Sequence, residues 1–162
     1  MDAQLEVIAR ELPGLDLPTE ALVSRIWKLS GFFRDELAAT ASAYGLSLSD
    51  WRLLATLRSE GEPYRLPSGR LAELLDVSPA TVTSRVDRLE SSGFVRRTAD
   101  PGDRRVQAVE LTPEGKQRWE HAVGIQAAKE ARVASALDER QKAELNDLLR
   151  RLLLSFGGDA KS

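Results

Sequence analysis

The chain carries few of the side chains that perform covalent, redox or metal chemistry. Its 162 residues contain no cysteine and one histidine, His121. The lack of thiols excludes disulfides, a thiol nucleophile, a thiol-based peroxide sensor and cysteine-ligated metal sites, and a single histidine disfavours other transition-metal sites. Asp100 and Asp103 flank a Pro-Gly turn, where both carboxylates would be exposed and unsuited to acid–base catalysis. The sequence therefore predicts no catalytic residue, no metal and no cofactor.

Residues 79–91 offer a surface suited to hydrogen bonding instead. At about 100° per residue on a helix, Val82, Val86 and Leu89 share one side, which we expect to face the core. The opposite side is small and hydroxylic: Ala80, Ser84, Asp87, Arg88 and Ser91, with Thr81 and Thr83 at its margins. Such a face suits the major groove of DNA, which is about 12 Å wide and presents base edges to short side chains. A solvated surface helix is the alternative.

Two elements before this helix are expected to hold it in place. Ser78 is the predicted N-cap, and Pro79 fits the first helical position. Residues 69–75 form a short helix with Leu71, Leu74 and Leu75 on one face, and 76–78 make a tight turn. The segment therefore predicts a helix-turn-helix.

A hairpin follows and adds a second candidate contact. Residues 94–98 and 106–111 show the residue alternation of β-strands, and the turn Asp100-Pro101-Gly102-Asp103 joins them. We predict no other strand. Its tip carries Arg104 and Arg105 beside Asp103. Arginines on a thin hairpin suit the narrow, electronegative minor groove, although they could simply aid solubility. Helix-turn-helix and hairpin together predict a winged helix-turn-helix lobe over 50–111.

Long helices flank this lobe. Apolar residues recur at helical spacing over 19–45 and over 113–156, and the last stretch has a leucine-rich stripe from Leu145 to Phe156 that is too apolar to remain in water. A membrane-surface helix would need basic flanks, which Glu144 and Asp147 do not provide. We therefore expect both regions to be dimerisation helices of a two-fold homodimer, with 1–18 as an arm.

Charge and hydropathy are compatible with a cytoplasmic DNA-binding protein. No apolar run is long enough to span a membrane, and the N-terminal residues lack signal-peptide features. The whole chain has a net charge of −2, but eight arginines and six acids between 65 and 105 give that segment +2. We therefore expect one basic face, and an affinity for DNA that falls steeply with salt.

With these features, the sequence resembles the MarR family of bacterial transcription regulators over nearly the whole chain. The resemblance is most specific at Ser78–Glu90 with Gly93-Phe94-Val95, and at Asp103-Arg104-Arg105 continuing into Val109–Gly115. It implies a mainly α fold with a small β-hairpin wing, in which a winged helix-turn-helix lobe lies between N- and C-terminal dimerisation helices, all in one domain, 1–162. It also implies these DNA-contacting residues: Ser78, Thr81, Thr83, Ser84, Arg88, Arg97, Asp103, Arg104 and Arg105. Among them, Arg105 would be the wing-tip arginine braced by Asp103, and Arg97 and Arg104 would touch the DNA backbone.

The family resemblance also implies a small-molecule pocket between the dimerisation helices and the lobe. The candidate lining is Trp27, Phe33, Trp51, Arg52 and Arg85. The two arginines could hold an anionic aromatic effector through charge-assisted hydrogen bonds. Core or dimer packing is the alternative for the aromatic residues, and an intramolecular ion pair for each arginine. The urate-sensing branch is disfavoured because 1–18 lack a tryptophan and Trp51 is followed by a base.

The resulting hypothesis is a homodimeric, sequence-specific transcriptional regulator, a repressor rather than an activator, on a pseudo-palindromic operator. A small aromatic or anionic ligand would release it. The alternatives are a transcriptional activator of the same fold and a winged-helix module that binds only another protein.

Overall fold

A computed structural model describes residues 11–12, 14–100 and 105–158. Within this part of the chain the protein is mainly helical, with six helices and one small sheet. The elements in chain order are α1 (Leu17–Ala43), α2 (Leu48–Ser59), β1 (Arg65–Pro67), α3 (Ser68–Leu75), α4 (Pro79–Ser91), β2 (Val95–Ala99), β3 (Gln107–Leu111), α5 (Pro113–Ala134) and α6 (Glu139–Gly158). The predicted fold class is confirmed. The chain divides into two compact units, Met1–Val123 and Gly124–Ser162.

Capping residues set the ends of the first two helices. The α1 helix ends two residues before the predicted Gly45, because the Tyr44 and Gly45 amides already bond back to Ala41 and Ser42, and Gly45 takes a φ of +71° that suits glycine. The α2 helix begins at Leu48, two residues before the predicted start of the lobe at residue 50, since Ser47 is its cap. The Ser47 hydroxyl accepts from the Asp50 amide at 3.1 Å, and the Ser47 amide donates to the Asp50 carboxylate at 2.9 Å.

The sheet has three antiparallel strands in the order β1-β3-β2. The predicted hairpin is present, with Val95 opposite Leu111 and Ala99 opposite Gln107. The expectation that no other strand exists is wrong, because Arg65–Pro67 pairs with the other edge of β3. Three residues that end in proline are too few to show strand alternation, so only pairing with a distant strand reveals β1.

The core of the first unit lies among α2, α3, α4 and the sheet. Leu53, Leu57 and Phe94 are fully buried. The predicted inner face of α4 is confirmed, since Val82, Val86 and Leu89 are each only 1% exposed. The predicted face of α3 is wrong at Leu74, which is 39% exposed; Ala72 is buried with Leu71 and Leu75 in its place.

The start of α5 is fixed against the end of α4. The Thr112 amide and hydroxyl donate to the carbonyls of Phe94 and Gly93, at 3.0 and 2.7 Å. A Cβ at Gly115 would lie 2.1 Å from the Phe94 carbonyl oxygen, so this close approach needs glycine. The chain therefore leaves the lobe in a fixed direction.

The second unit contains the end of α5 and all of α6. Asp138 and Gln141 cap α6 reciprocally, through hydrogen bonds of 2.8 and 3.0 Å. Apolar side chains of α6 remain exposed, with Leu153 at 71% and Leu154 at 68%; the side chain of Phe156 lies outside the description. No helix among the described residues is long and apolar enough to cross a membrane.

Candidate nucleic-acid interface

The α4 helix begins as the sequence predicts. The Ser78 hydroxyl accepts from the Thr81 amide at 3.2 Å and lies 2.8 Å from the Thr81 hydroxyl. Pro79 occupies the first turn, where its missing N–H costs nothing. Two of the predicted DNA-contacting side chains, Ser78 and Thr81, thus also fix the start of the helix.

The outer face of α4 is exposed and short, as predicted. Thr83 and Ser84 are both exposed. The Thr83 hydroxyl donates to the Pro79 carbonyl at 3.1 Å, within its own helix. The Ser84 hydroxyl has no hydrogen-bond partner among the described residues, so it is available to an external acceptor or donor.

An open concavity lies where the start of α2 faces the outer side of α4. Ser47 and Ser49 line one side, and Ser84, Arg85 and Arg88 line the other. With Thr81, which also lines it, the surface combines four hydroxyl groups with two guanidinium groups. This chemistry suits the phosphates and base edges of a nucleic acid.

A buried carboxylate holds Arg88. The Arg88 Nη2 lies 2.5 Å from Asp50 Oδ1, and the Asp50 side chain is 1% exposed whereas that of Arg88 is 52% exposed. Burial alone would raise the pKa of Asp50, but hydrogen bonds from Arg88 and Ser47 outweigh it and hold that pKa below its usual value. This role of Asp50 could not be predicted from the sequence. The Ser47-x-x-Asp50 spacing signals a cap, and nothing local signals a partner on another helix.

Arg97 has a second role that the sequence did not reveal. Its guanidinium pairs with Glu90 and, at 2.6 Å, with Asp87, both on α4. Its amide also donates to the Glu90 carboxylate at 2.8 Å. Burial lowers the pKa of Arg97, but the bonds to Asp87 and Glu90 outweigh that effect and raise it. Arg97 therefore ties β2 to α4, and its contact with the DNA backbone stays a prediction.

The tip of the wing lies partly outside the described residues. Asp103 and Arg104 fall in the undescribed turn, so their predicted roles stay untested, and Arg105 is exposed at its end. On the sheet itself, Glu110 accepts from both Arg96 and Arg65, the latter at 3.5 Å. The wing is thus braced by ion pairs on both sides of β3.

The residues predicted to bind an effector have different environments. Trp27 is 72% exposed on α1, and Phe33 is half-buried with its ring edge-on to Phe32. The Trp51 ring packs at 5.8 Å from that of Trp119. Arg52 is exposed, and Arg85 lies in the outer concavity rather than toward the core. Within the described part of the chain, no hydrogen bond, ion pair or ring contact joins any two of the five, and a shared pocket stays a prediction.

Comparisons with known proteins agree with this arrangement. Residues 46–106 match the MarR family model. The HTH-type transcriptional regulator PecS of Dickeya dadantii (strain 3937) is 33% identical over 142 residues, which cover 88% of this chain and 86% of PecS. The HTH-type transcriptional repressor MdtR of Bacillus subtilis (strain 168) is 28% identical over 147 residues, or 91% of this chain and 88% of MdtR.

A solved structure extends the likeness to three dimensions. Sco5413, a MarR family transcriptional regulator from Streptomyces coelicolor, is 27% identical and has a TM-score of 0.65 over 88% of this chain and 97% of its own. The similarity thus covers the capped α4 helix and the wing together with most of the remaining chain. This chain belongs to the MarR family of winged helix-turn-helix proteins, which are DNA-binding transcriptional regulators rather than enzymes.

Proposed function

We propose that this protein is a homodimeric repressor that binds a pseudo-palindromic operator in the cytoplasm. The two α4 helices would enter successive major grooves, and the wings would enter the flanking minor grooves. The outer face of α4 is the observation that carries this proposal. It is exposed and short, with the unpartnered Ser84 hydroxyl beside Arg85 and Arg88.

Exposed apolar side chains support the homodimer. On α1, Trp27 is 72% and Leu29 49% exposed; on α6, Leu148 is 55% and Leu153 71% exposed. Large apolar side chains exposed along a helix are a feature of protein interaction surfaces. A second copy of the same chain is the simplest cover, and two-fold symmetry would then place equivalent half-sites about one DNA turn apart.

The proposal further includes repression rather than activation, and release of the protein from DNA by a small ligand. The relative MdtR is named as a repressor, which favours repression here. Arg52 and Arg85 make no ion pair with the described residues, so either could bind the anionic group of an aromatic effector. Trp27, Phe33 and Trp51 would supply its apolar contacts.

A gel-shift titration tests the proposal. The probes are duplexes flanking the protein's own gene, at two salt concentrations with random-sequence competitor, and sedimentation measures the mass of the free protein. We expect a discrete band that resists competitor and weakens with salt, and a mass twice the 17.9 kDa of one chain. If no competitor-resistant band forms, either on these probes or on a duplex selected from a randomised pool, sequence-specific DNA recognition is contradicted. A 17.9 kDa species that still binds would contradict the dimer.

An effector screen follows on the same complex. Aromatic carboxylates should release the band, and Arg85→Ala or Arg52→Ala should abolish release. Release that is unchanged in both variants would contradict the proposed anion-binding role of these arginines.

A further inference from the structure

We infer that Asp50, which lies below the DNA-facing surface, is a positioning residue for DNA recognition that acts through Arg88. The inference rests on the proposed function, because it requires that the outer face of α4 bind DNA. It adds a buried residue of α2 to the determinants of affinity.

Both oxygens of the Asp50 carboxylate are used inside the protein. Oδ2 accepts from the Ser47 amide at 2.9 Å and from the Ser47 hydroxyl at 2.6 Å. Oδ1 accepts from Arg88 Nη2 at 2.5 Å. Since the Asp50 side chain is only 1% exposed, it cannot meet DNA directly. One carboxylate thus joins the start of α2 to the last turn of α4.

Arg88 keeps donors for an external partner. A guanidinium has five N–H donors in a planar fork, and Asp50 takes one edge of it. The Arg88 side chain is 52% exposed and lines the concavity beside Ser84. Fixing a long side chain before binding reduces the conformational entropy lost when it contacts DNA. The carboxylate therefore orients the arginine without hiding it.

Arg85 provides an internal control. It lies one helical turn before Arg88, lines the same concavity and carries the same charge. In the described part of the chain, however, no carboxylate pairs with Arg85. The two arginines therefore differ in bracing, and loss of the Asp50 charge should affect only the contribution of Arg88.

A double-mutant cycle tests this inference. The probe is a duplex of about 30 base pairs, long enough for two half-sites, selected by the wild-type protein from a randomised pool. Fluorescence anisotropy gives the Kd. We expect Asp50→Asn to weaken binding about tenfold in the wild-type and Arg85→Ala backgrounds, but by less than about twofold in the Arg88→Ala background.

Two results would overturn the inference. One is wild-type affinity in a folded Asp50→Asn protein. The other is an equal loss in the wild-type and Arg88→Ala backgrounds, which would mean that Asp50 supports the fold alone.

A second variant covers the case in which Asp50→Asn does not fold. Arg88→Lys keeps the charge at a half-exposed position, but an ammonium lacks the second edge of a guanidinium. We expect it to bind as weakly as Arg88→Ala, and wild-type affinity would overturn the inference. If the wild-type protein selects no duplex at all, the proposed function fails first and the inference falls with it.

Discussion

The lobe from Leu48 to Leu111 and the helices α1 and α6 differ in where their apolar side chains lie. In the lobe, Leu57 and Phe94 are fully buried, whereas Trp27 on α1 and Leu153 on α6 are more than two-thirds exposed. The buried core lies mainly in the lobe, with Ala41 of α1 and Trp119 of α5 packed into it. The two helices carry apolar surface that burial against further protein would stabilise.

The two regions also differ in how they use charge. In the lobe, arginines pair with acids on other elements, as Arg88 does with Asp50 and Arg97 with Glu90. On α6 the pairs are exposed neighbours on one helix, such as Arg151 with Asp147. Exposed pairs of that kind contribute little to stability. Ion pairs therefore join different elements in the lobe, whereas on α6 they join only neighbours on one helix.

The largest effect should come from emptying the core of the lobe. Leu57→Ala leaves a cavity at a fully buried site, and we expect the free energy of unfolding to fall by about 2–5 kcal/mol. Chemical denaturation at fixed protein concentration measures it. Leu74→Ala, at a 39% exposed position on α3, is the control, and equal losses would mean that the lobe has no distinct core.

The next effect should appear in assembly. Leu153→Asp places a charge on the exposed apolar face of α6. Since α6 belongs to the proposed dimer interface, we expect the variant to be monomeric and to lose at least about tenfold in operator affinity, because two subunits no longer bind both half-sites together. Sedimentation and anisotropy measure the two effects. Asn146→Asp adds the same charge at an exposed polar position of the same helix and should leave both unchanged. A Leu153→Asp protein that remains dimeric would show that α6 lies outside the interface.

Breaking the ion pairs by which Arg97 ties β2 to α4 should have a smaller effect. Arg97→Gln breaks the pairs to Glu90 and Asp87 and should weaken operator binding several-fold, by loosening β2 against α4. Arg70→Gln, which breaks an exposed pair with Glu73, is the matched control and should have no measurable effect. Equal results in both variants would contradict a positional role for Arg97.

The smallest effect should depend on pH. The pKa of Asp50 is lowered in the folded protein, so its charge stabilises the fold at neutral pH, and this contribution is lost as pH falls through the folded pKa. The unfolding free energies of wild type and Asp50→Asn should therefore converge below about pH 4, the ordinary range of an aspartate. Denaturation between pH 7 and pH 3 measures this, and a constant difference would mean that the Asp50 charge does not contribute.

Local signals explain which features could be predicted from the sequence. The bounds of α4 match the prediction because its cap, its first-turn proline and its apolar spacing all lie within residues 78–91. The hairpin was predictable for the same reason. In contrast, β1 is visible only through pairing with β3, as in Arg65 opposite Glu110.

The bracing of the interface could not be predicted, because it depends on long-range contacts. Asp50 and Arg88 are 38 positions apart in the sequence and meet only after α2 packs near α4. Charged side chains show no periodicity that identifies their partners. The sequence could thus indicate that Arg88 faces outward, but not that Asp50 holds it in place.

The most direct test of the central claim, that the outer face of α4 determines the DNA sequence bound, is selection from a randomised duplex pool by wild type and by Ser84→Asn. We expect a pseudo-palindromic consensus for wild type, with half-sites about one helical turn apart, and a change at one symmetric pair of base positions for the variant. Arg105→Ala, at the end of the wing tip, should weaken binding without changing the consensus. An identical consensus for wild type and Ser84→Asn would mean that the outer face of α4 does not determine the DNA sequence bound.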